Sequence, residues 1–415
     1  MPNHGRWAAW SGAGLLMVAA AGVAIWEWLS ALAFGGPTLL EDLHIYRGAV
    51  LSADTGASLY DYMGAGPFNY PPFAAVLLRP LASLPADVGD GLWTLGTFLF
   101  GVAMCAVVVL RIPRNRTTWV GVAPTRARIW GLVALSTVLM LSSIPIVVNL
   151  WLGQISGALT LLVLLDAGGV VPKRMQGCLT GVAAALKLTP LIFIPYFLVT
   201  RQWRQAAVSA GSFLAATGIG FLFYPQDSVV YWTNKVFEIS RVGELAVPRN
   251  ASLLGLLTRL DVGGSSQRVI WLVLCIALVG MALMWSARHF ARGQLVPAAI
   301  VMGCASVVVS PFSWPHHLVW IVLGGLWLLL LRRPALAIIG AAILIANNVI
   351  WPLPLTLELL VPAIQILNEL PALCAVCICL LGLPSSTGEP LTLATQAVPE
   401  PGLAPTPGLS LWRRR

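Results

Sequence analysis

Apolar residues fall along this chain in long blocks rather than in the alternating pattern of a half-buried sheet. The blocks cover roughly residues 9–34, 89–111, 129–148, 155–171, 175–187, 189–200, 205–224, 268–290, 295–311, 317–331, 335–350 and 359–382. A straight helical crossing of a bilayer takes about 20 apolar residues, and the strict alternation of a barrel strand is rare here. The pattern predicts an all-α, polytopic integral membrane protein with about twelve transmembrane helices. Residues 175–200 read either as one long helix or as two short ones broken near Pro190, which leaves ten or eleven spans as alternatives. The first block is too long for a signal-peptide core and carries Glu27 and two tryptophans late in it. It reads as a retained first helix.

Polar residues gather between the blocks. Two connections are long, about 35–88 and 225–267, and long ordered connections usually carry function. Residues 384–415 are Pro-rich and read as a disordered cytoplasmic tail. That leaves 1–383 as a single transmembrane domain. No short-period repeat is evident.

Composition supports the membrane reading. The chain of 415 residues is 58% hydrophobic and 10% charged, whereas a soluble domain carries about a quarter charged residues. The formal charge of +9 has a topological cause. Most of the basic residues fall in one alternate set of connections: Arg6, Arg111 to Arg128, Lys173 and Arg174, Arg201 and Arg204, Arg288 and Arg292, Arg332 and Arg333, and Arg413 to Arg415. Positive charge favours the cytoplasmic side, so both termini are expected there. Acids including Glu41, Asp42, Asp87, Asp90, Asp227 and Glu238 fall in the other set. The charge therefore signals orientation and attraction to anionic membrane lipids, and no nucleic-acid site is indicated. The seven cysteines lie in apolar runs and read as packing residues, the lone Cys374–Cys377 pair included.

The candidate chemistry lies in the outer connections. "LLEDLHIYRGAV" packs Glu41, Asp42, His44, Tyr46 and Arg47 into seven residues. An acid in a partly dry cleft at a bilayer surface serves as a general base or binds a cation. The plainer reading is a helix N-terminal charge. If the segment is helical, Asp42, Tyr46 and Ala49 share a face. In "FNYPPFAAVLLRPLASL", the Pro71–Pro72 pair leads from Tyr70 into a stretch too short to span. That stretch suits an interfacial helix with Arg79 at headgroup level, or a turn and a packing helix. Gln154 in "NLWLGQISG" suits a sugar hydrogen bond or a capped turn. Lys187 in "AAALKLTP" sits in apolar surroundings and needs water or an anion, with phosphate the natural partner. Snorkelling to the interface is the alternative. Arg249 and Asn250 open a helix in "VPRNASLLG", an anion-binding arrangement. His316 and His317 in "SPFSWPHH" are adjacent and do not share a helix face, so a two-ligand metal site is not expected. Phosphate binding or orientation of a base fits them better, and an interfacial cap is the plainer alternative. No nucleotide-binding loop or hydrolase motif is present.

Taken in order, Asp42-Leu43-His44-Ile45-Tyr46, Tyr70-Pro71-Pro72-Phe73, Gly153-Gln154, Lys187-Leu188-Thr189-Pro190, Asn250-Ala251-Ser252-Leu253-Leu254-Gly255 and Ser313-Trp314-Pro315-His316-His317 resemble the motifs of glycosyltransferase family 87, integral-membrane enzymes of the GT-C fold. The likeness is strongest to its α-1,2-mannosyltransferases that use polyprenyl-phosphate mannose. Two departures stand out: the serine-to-histidine element is short, and alanine replaces the usual glutamine before Ser252. The resemblance implies a GT-C mannosyltransferase of the cell membrane with an extracytoplasmic active site, needing no cofactor or metal. Asp42 would be the catalytic base. Lys187, Arg249, His316 and His317 would bind the donor phosphate. Glu41, His44, Tyr46, Arg47, Tyr70, Gln154 and Asn250 would contact substrate. The acceptor would be a phosphatidylinositol mannoside or a related glycolipid. A related arabinofuranosyltransferase or a lipomannan-branching enzyme differs only in its substrates. A glycolipid transporter fits less well, because the polar motifs gather on one face rather than at the midplane.

Overall fold

A computed structural model describes residues 40–112, 126–238, 241, 243–331, 333–347 and 369–384. The expected first helix at 9–34 and, past residue 384, the expected tail at 384–415 lie outside the described residues. The regular structure of the described residues is helical, with no strand beyond one isolated bridge between Met63 and Pro67.

Among the described residues, three helices are long and apolar enough to cross a membrane as straight rods. They are α3 (Ala86–Arg111), α9 (Trp203–Phe223) and α12 (Gln267–Ala291), the last extended at its start by a 3₁₀ turn. A fourth crossing arises if α4 (Arg126–Leu141) and α5 (Ile144–Leu152) form one span, but they bend by 67° at Ser142–Ser143. The bend has a cause. Pro145 has no N–H to return to the carbonyl of Leu141, so the helical ladder cannot run through.

The remaining apolar helices are α6 (Ser156–Ala167), α7 (Cys178–Leu186), α8 (Phe193–Val199), α13 (Leu295–Val309), α14 (Val319–Leu330), α15 (Pro334–Ala346) and α16 (Leu370–Leu381). At about 1.5 Å per residue these are shorter than a ~30 Å hydrocarbon core. Among the described residues, the expected crossings are therefore not all straight spans. Residues 175–200 adopt the broken alternative: α7 ends at Leu186, Lys187 is extended, and a 3₁₀ turn at Thr189–Ile192 leads into α8. Pro190 lacks the N–H that would have bonded Leu186.

The two long connections are not loops. The first folds into α1 (Glu41–Asp54) and α2 (Pro72–Ala82), and the second contains α10 (Pro225–Thr233) and α11 (Leu253–Arg259). Helix α2 follows the double proline as expected. It buries Ala74, Ala75 and Leu78 while Arg79 reaches out to Asp54 at 2.8 Å. It packs on α1 and α9.

At the centre stand α13 and α14. Every residue of α14 is buried, as is nearly all of α13. Both are apolar all round, the pattern of a helix enclosed by others. By contrast, α12 exposes Val269, Leu272, Val273 and Ile276. Helix α14 meets α15 at a glycine pair: a Cβ on Gly340 would lie 2.5 Å from the carbonyl oxygen of Gly325. Small residues at such crossings let backbones approach, the usual basis of helix association in lipid. Gly340→Val is expected to force these helices apart and cost roughly 1–3 kcal/mol. A lowered Tm of the purified protein in detergent would register it.

Candidate active site

The site is assembled where helices break. Helix α1 starts at Glu41 after Leu40, whose backbone is left-handed (φ 66°) and whose N–H bonds the carbonyl of Trp151. This docks the start of α1 on the end of α5. Between α5 and α6 comes Gly153, with φ +71°. A Cβ there would stand 2.6 Å from the Leu43 Cβ, so only glycine permits both the turn and the contact. The next side chain, Gln154, is then carried to α1.

Gln154 donates its amide to Asp42 Oδ2 and accepts at Oε1 from the Tyr70 hydroxyl, 3.0 Å away. Tyr46, one helical turn beyond Asp42, donates to the Tyr70 hydroxyl at 3.1 Å. Four side chains from three separate segments thus form one directed chain of hydrogen bonds ending on a carboxylate. Burial is the main influence on Asp42 and raises its pKa. The Gln154 bond opposes this, Glu41 adds to it and Lys187 opposes it. A carboxylate so placed is a stronger proton acceptor than one in water.

Lys187 leaves the end of α7 and lies over the Tyr70 ring, 5.5 Å from its centroid. Its Nζ is 2.6 Å from His317 Nε2. His317 belongs to a 3₁₀ turn, Pro315–His317, between α13 and α14, and its Nδ1 accepts from the Trp314 backbone N–H at 3.2 Å. His316 packs edge-on against His317 with ring centroids 4.4 Å apart. Its Nδ1 is buried without a protein partner.

These groups face a common cavity of about 810 Å³. Nine of the twelve candidate residues line it: Glu41, Asp42, Tyr46, Tyr70, Gln154, Lys187, Arg249, His316 and His317. Apolar side chains complete the wall, among them Val148, Leu152, Ile192, Val279 and Val309. A cavity with a half-buried, hydrogen-bonded carboxylate, a lysine–histidine cluster and an apolar flank suits a substrate with a sugar or other polyol, an anionic group and a lipid chain.

Three candidates lie off the cavity. His44 bonds Asp90 at 3.0 Å, and Arg47 donates to the carbonyls of Leu84 (2.7 Å) and Ala86 (3.4 Å). Both pin α1 to the start of α3, because an α-helix turns them away from the face that Asp42 and Tyr46 share. Asn250 is fully buried. Its Oδ1 accepts from the N–H groups of Ser252 (3.1 Å) and Ser313 (3.0 Å), and its Nδ2 donates to Leu245 O at 3.1 Å. The expected helix after Arg249–Asn250 begins at Leu253, capped by Ser252. Asn250 therefore fastens the second long connection to the segment that bears the histidines. Asn149 does the same from the other side: its Nδ2 donates to His316 O at 2.9 Å, and its Oδ1 accepts from Gly157 N at 3.1 Å. From the sequence, Asn149 belongs to the NLWLGQISG junction but carries no assigned role. A polar residue in the apolar run "IPIVVNLWL" was the available signal.

Comparison with known proteins adds to this geometry. The family model described as Glycosyltransferase family 87 matches residues 68–311. A polyprenol-phosphate-mannose-dependent alpha-(1-2)-phosphatidylinositol mannoside mannosyltransferase of Mycobacterium tuberculosis is 32% identical over 358 residues, 81% of each chain. The protein of the same name in Mycolicibacterium smegmatis is 32% identical over 301 residues, 69% of this chain and 66% of that one. A polyprenol-phosphate-mannose-dependent alpha-(1-2)-phosphatidylinositol pentamannoside mannosyltransferase, also of Mycolicibacterium smegmatis, is 31% identical over 315 residues, 73% of this chain and 72% of that one. No solved structure matches the chain.

Asn250→Ala would leave two buried N–H groups and a carbonyl without partners. It is expected to cost about 3 kcal/mol or more, whereas His44→Ala, which loses a partly exposed pair, costs under about 1 kcal/mol. Thermal unfolding of the two purified variants distinguishes a buried staple from a surface contact.

Proposed function

Because the chain belongs to glycosyltransferase family 87, we propose that it is a membrane mannosyltransferase. It moves mannose from polyprenyl-phosphate mannose to the 2-hydroxyl of a mannose on a phosphatidylinositol mannoside, on the extracytoplasmic face. The names of its relatives supply donor and acceptor. The observation that carries the reading is the half-buried Asp42 carboxylate, held by Gln154 within electrostatic reach of Lys187 in one cavity. The architecture that goes with it is a single GT-C domain of about twelve spans, with both termini cytoplasmic.

The chemistry follows from these positions. Asp42 takes the proton of the acceptor 2-hydroxyl as that oxygen attacks the anomeric carbon. The bond from that carbon to the phosphate oxygen breaks, and its electron pair leaves with the polyprenyl phosphate. The leaving phosphate gains a negative charge. Lys187, Arg249, His316 and His317 stabilise that charge, an effect of the kind that dominates transfer through charged transition states. Attack from the face opposite the phosphate inverts a β-linked donor to an α product. The apolar flank of the cavity accommodates the first part of the polyprenyl chain.

Asp42→Asn keeps the shape of the side chain but not its basicity. With labelled polyprenyl-phosphate mannose and phosphatidylinositol mannosides, the wild type is expected to yield a longer labelled mannoside. The variant should lose at least ~10²-fold in turnover. Its Tm should hold or rise, because a carboxylate whose pKa is raised by burial opposes folding above its unfolded-state pKa. Near-normal turnover in the variant would remove Asp42 as the base.

The pH profile gives a second test. Asp42 must be ionised to act, so the rate falls as pH drops through its raised pKa. The Gln154 hydrogen bond favours the ionised form, so Gln154→Leu should raise that pKa further and move the acid limb of kcat/KM to higher pH. An acid limb that stays in place in the variant would sever the link between Gln154 and the base.

A further inference from the structure

The same cavity has a second polar wall that the transfer step does not use. Lys235 Nζ donates to both carboxylate oxygens of Glu238, at 3.1 and 3.0 Å. Arg241 NH1 lies 3.8 Å from that carboxylate, and its Nε is 3.4 Å from Asn69 Oδ1. The Arg241 guanidinium lies over the Tyr60 ring, 5.8 Å from the centroid. Asn69, Lys235, Glu238 and Arg241 all line the cavity, so two segments about 170 residues apart in the chain converge there.

Fold support accounts for only part of this group: Asn69 Nδ2 donates to the Arg241 carbonyl and Arg241 Nη2 to the Phe68 carbonyl, both at 3.4 Å, which ties the two connections together. The start of α10 is already tied to the first connection by Ser58, which donates to Asp227 at 2.6 Å. Ion pairs with this much exposure contribute little, about 0–1 kcal/mol. Beyond those bonds the group keeps spare hydrogen-bonding capacity. Glu238 keeps 40% of its side chain exposed, so it can accept from neighbouring hydroxyls, while Arg241, Lys235 and the Asn69 amide can donate. Glu238 offsets one of the two neighbouring cations, so the wall both accepts and donates hydrogen bonds. The half-buried Trp314, packed on Phe312 at 5.0 Å, also lines the cavity and supplies an apolar face. Hydroxyl-binding groups together with an aromatic face are the chemistry that recognises a neutral hexopyranose. Asn69 is next in the chain to Tyr70, whose hydroxyl belongs to the Asp42 network, so the second wall begins where the reacting pole ends.

We propose that Asn69, Lys235, Glu238 and Arg241 form a subsite for the acceptor sugar that precedes the mannose being extended. This rests on the mannosyltransferase reading above. It makes the enzyme a reader of the last two sugars of its glycolipid rather than of the terminal one alone.

The test compares two synthetic glycolipid acceptors, one carrying a single mannose and one ending in an α-linked pair of mannoses. Each is assayed with polyprenyl-phosphate mannose and the full-length protein in detergent, as wild type, Glu238→Gln and Lys235→Gln. The wild type is expected to prefer the two-sugar acceptor. Losing a charged hydrogen-bonding partner should cut kcat/KM for that acceptor about tenfold, mainly through KM. The preference should shrink correspondingly, while the KM for the donor moves less than about twofold. Equal use of both acceptors by the wild type would overturn the subsite. So would variants that keep the wild-type preference, or that lose equally on both acceptors. Absence of transfer to either acceptor by the wild type would instead sink the mannosyltransferase reading, and the subsite with it.

Discussion

Helix α1 and the α5–α6 junction touch at Gly153, where no side chain fits. That contact brings the Gln154 amide within reach of Asp42 and, through its other end, of Tyr70. Tyr70 in turn carries Tyr46 on its hydroxyl and Lys187 over its ring. A carboxylate removed from water is costly unless hydrogen bonds or opposite charge accompany it. The close approach at Gly153 supplies the hydrogen bond, and the break in the helix after Leu186 brings the charge. Remove either and Asp42 has less reason to stay ionised inside the protein.

The backbone breaks that make the site also create a difficulty. A helix satisfies its own N–H and C=O groups, but a break leaves them unpaired, and in apolar surroundings each costs free energy. Two buried asparagines meet this need. Asn149 binds carbonyls of Pro145 and His316 and the N–H of Gly157. Asn250 binds the N–H groups of Ser252 and Ser313 and the carbonyl of Leu245. In doing so, Asn149 holds the Pro315–His317 turn itself and Asn250 holds the segment that leads into it. The residues that satisfy the irregular backbone are thus the ones that locate the histidines.

Around this sits a frame with a different logic. Helices α3, α9 and α12 are long, regular and apolar on their exposed faces, and they bear no residue of the reacting pole. Helix α14 is buried from end to end and α13 nearly so, and they flank the histidine turn. Glycosyltransfer from a lipid phosphate asks for such a division. The frame has to tolerate hydrocarbon, and the site has to gather charge, so the charge is confined to the places where the helices stop.

Much of this was legible in the chain itself, because it depends on local properties. Hydropathy blocks mark a helical membrane protein wherever they occur. Pro190 announces the break that frees Lys187, and helical spacing places Asp42 and Tyr46 on one face. The ordered motifs pointed to family 87, which the comparisons support. Other features were decided by packing. Composition within five residues could not tell that Asp42 and Tyr46 face the cavity while His44 and Arg47 turn to the start of α3. Nor could it show that Asn250, polar and beside an arginine, is a buried staple. Asn69 and Arg241 meet only because two long connections fold over the same cavity. The apolar run of α12 reads much like that of α14, yet one is exposed and the other enclosed. Lipid tails and protein interior are equally apolar, so hydropathy cannot separate them; only the contacts between distant helices decide which face meets which.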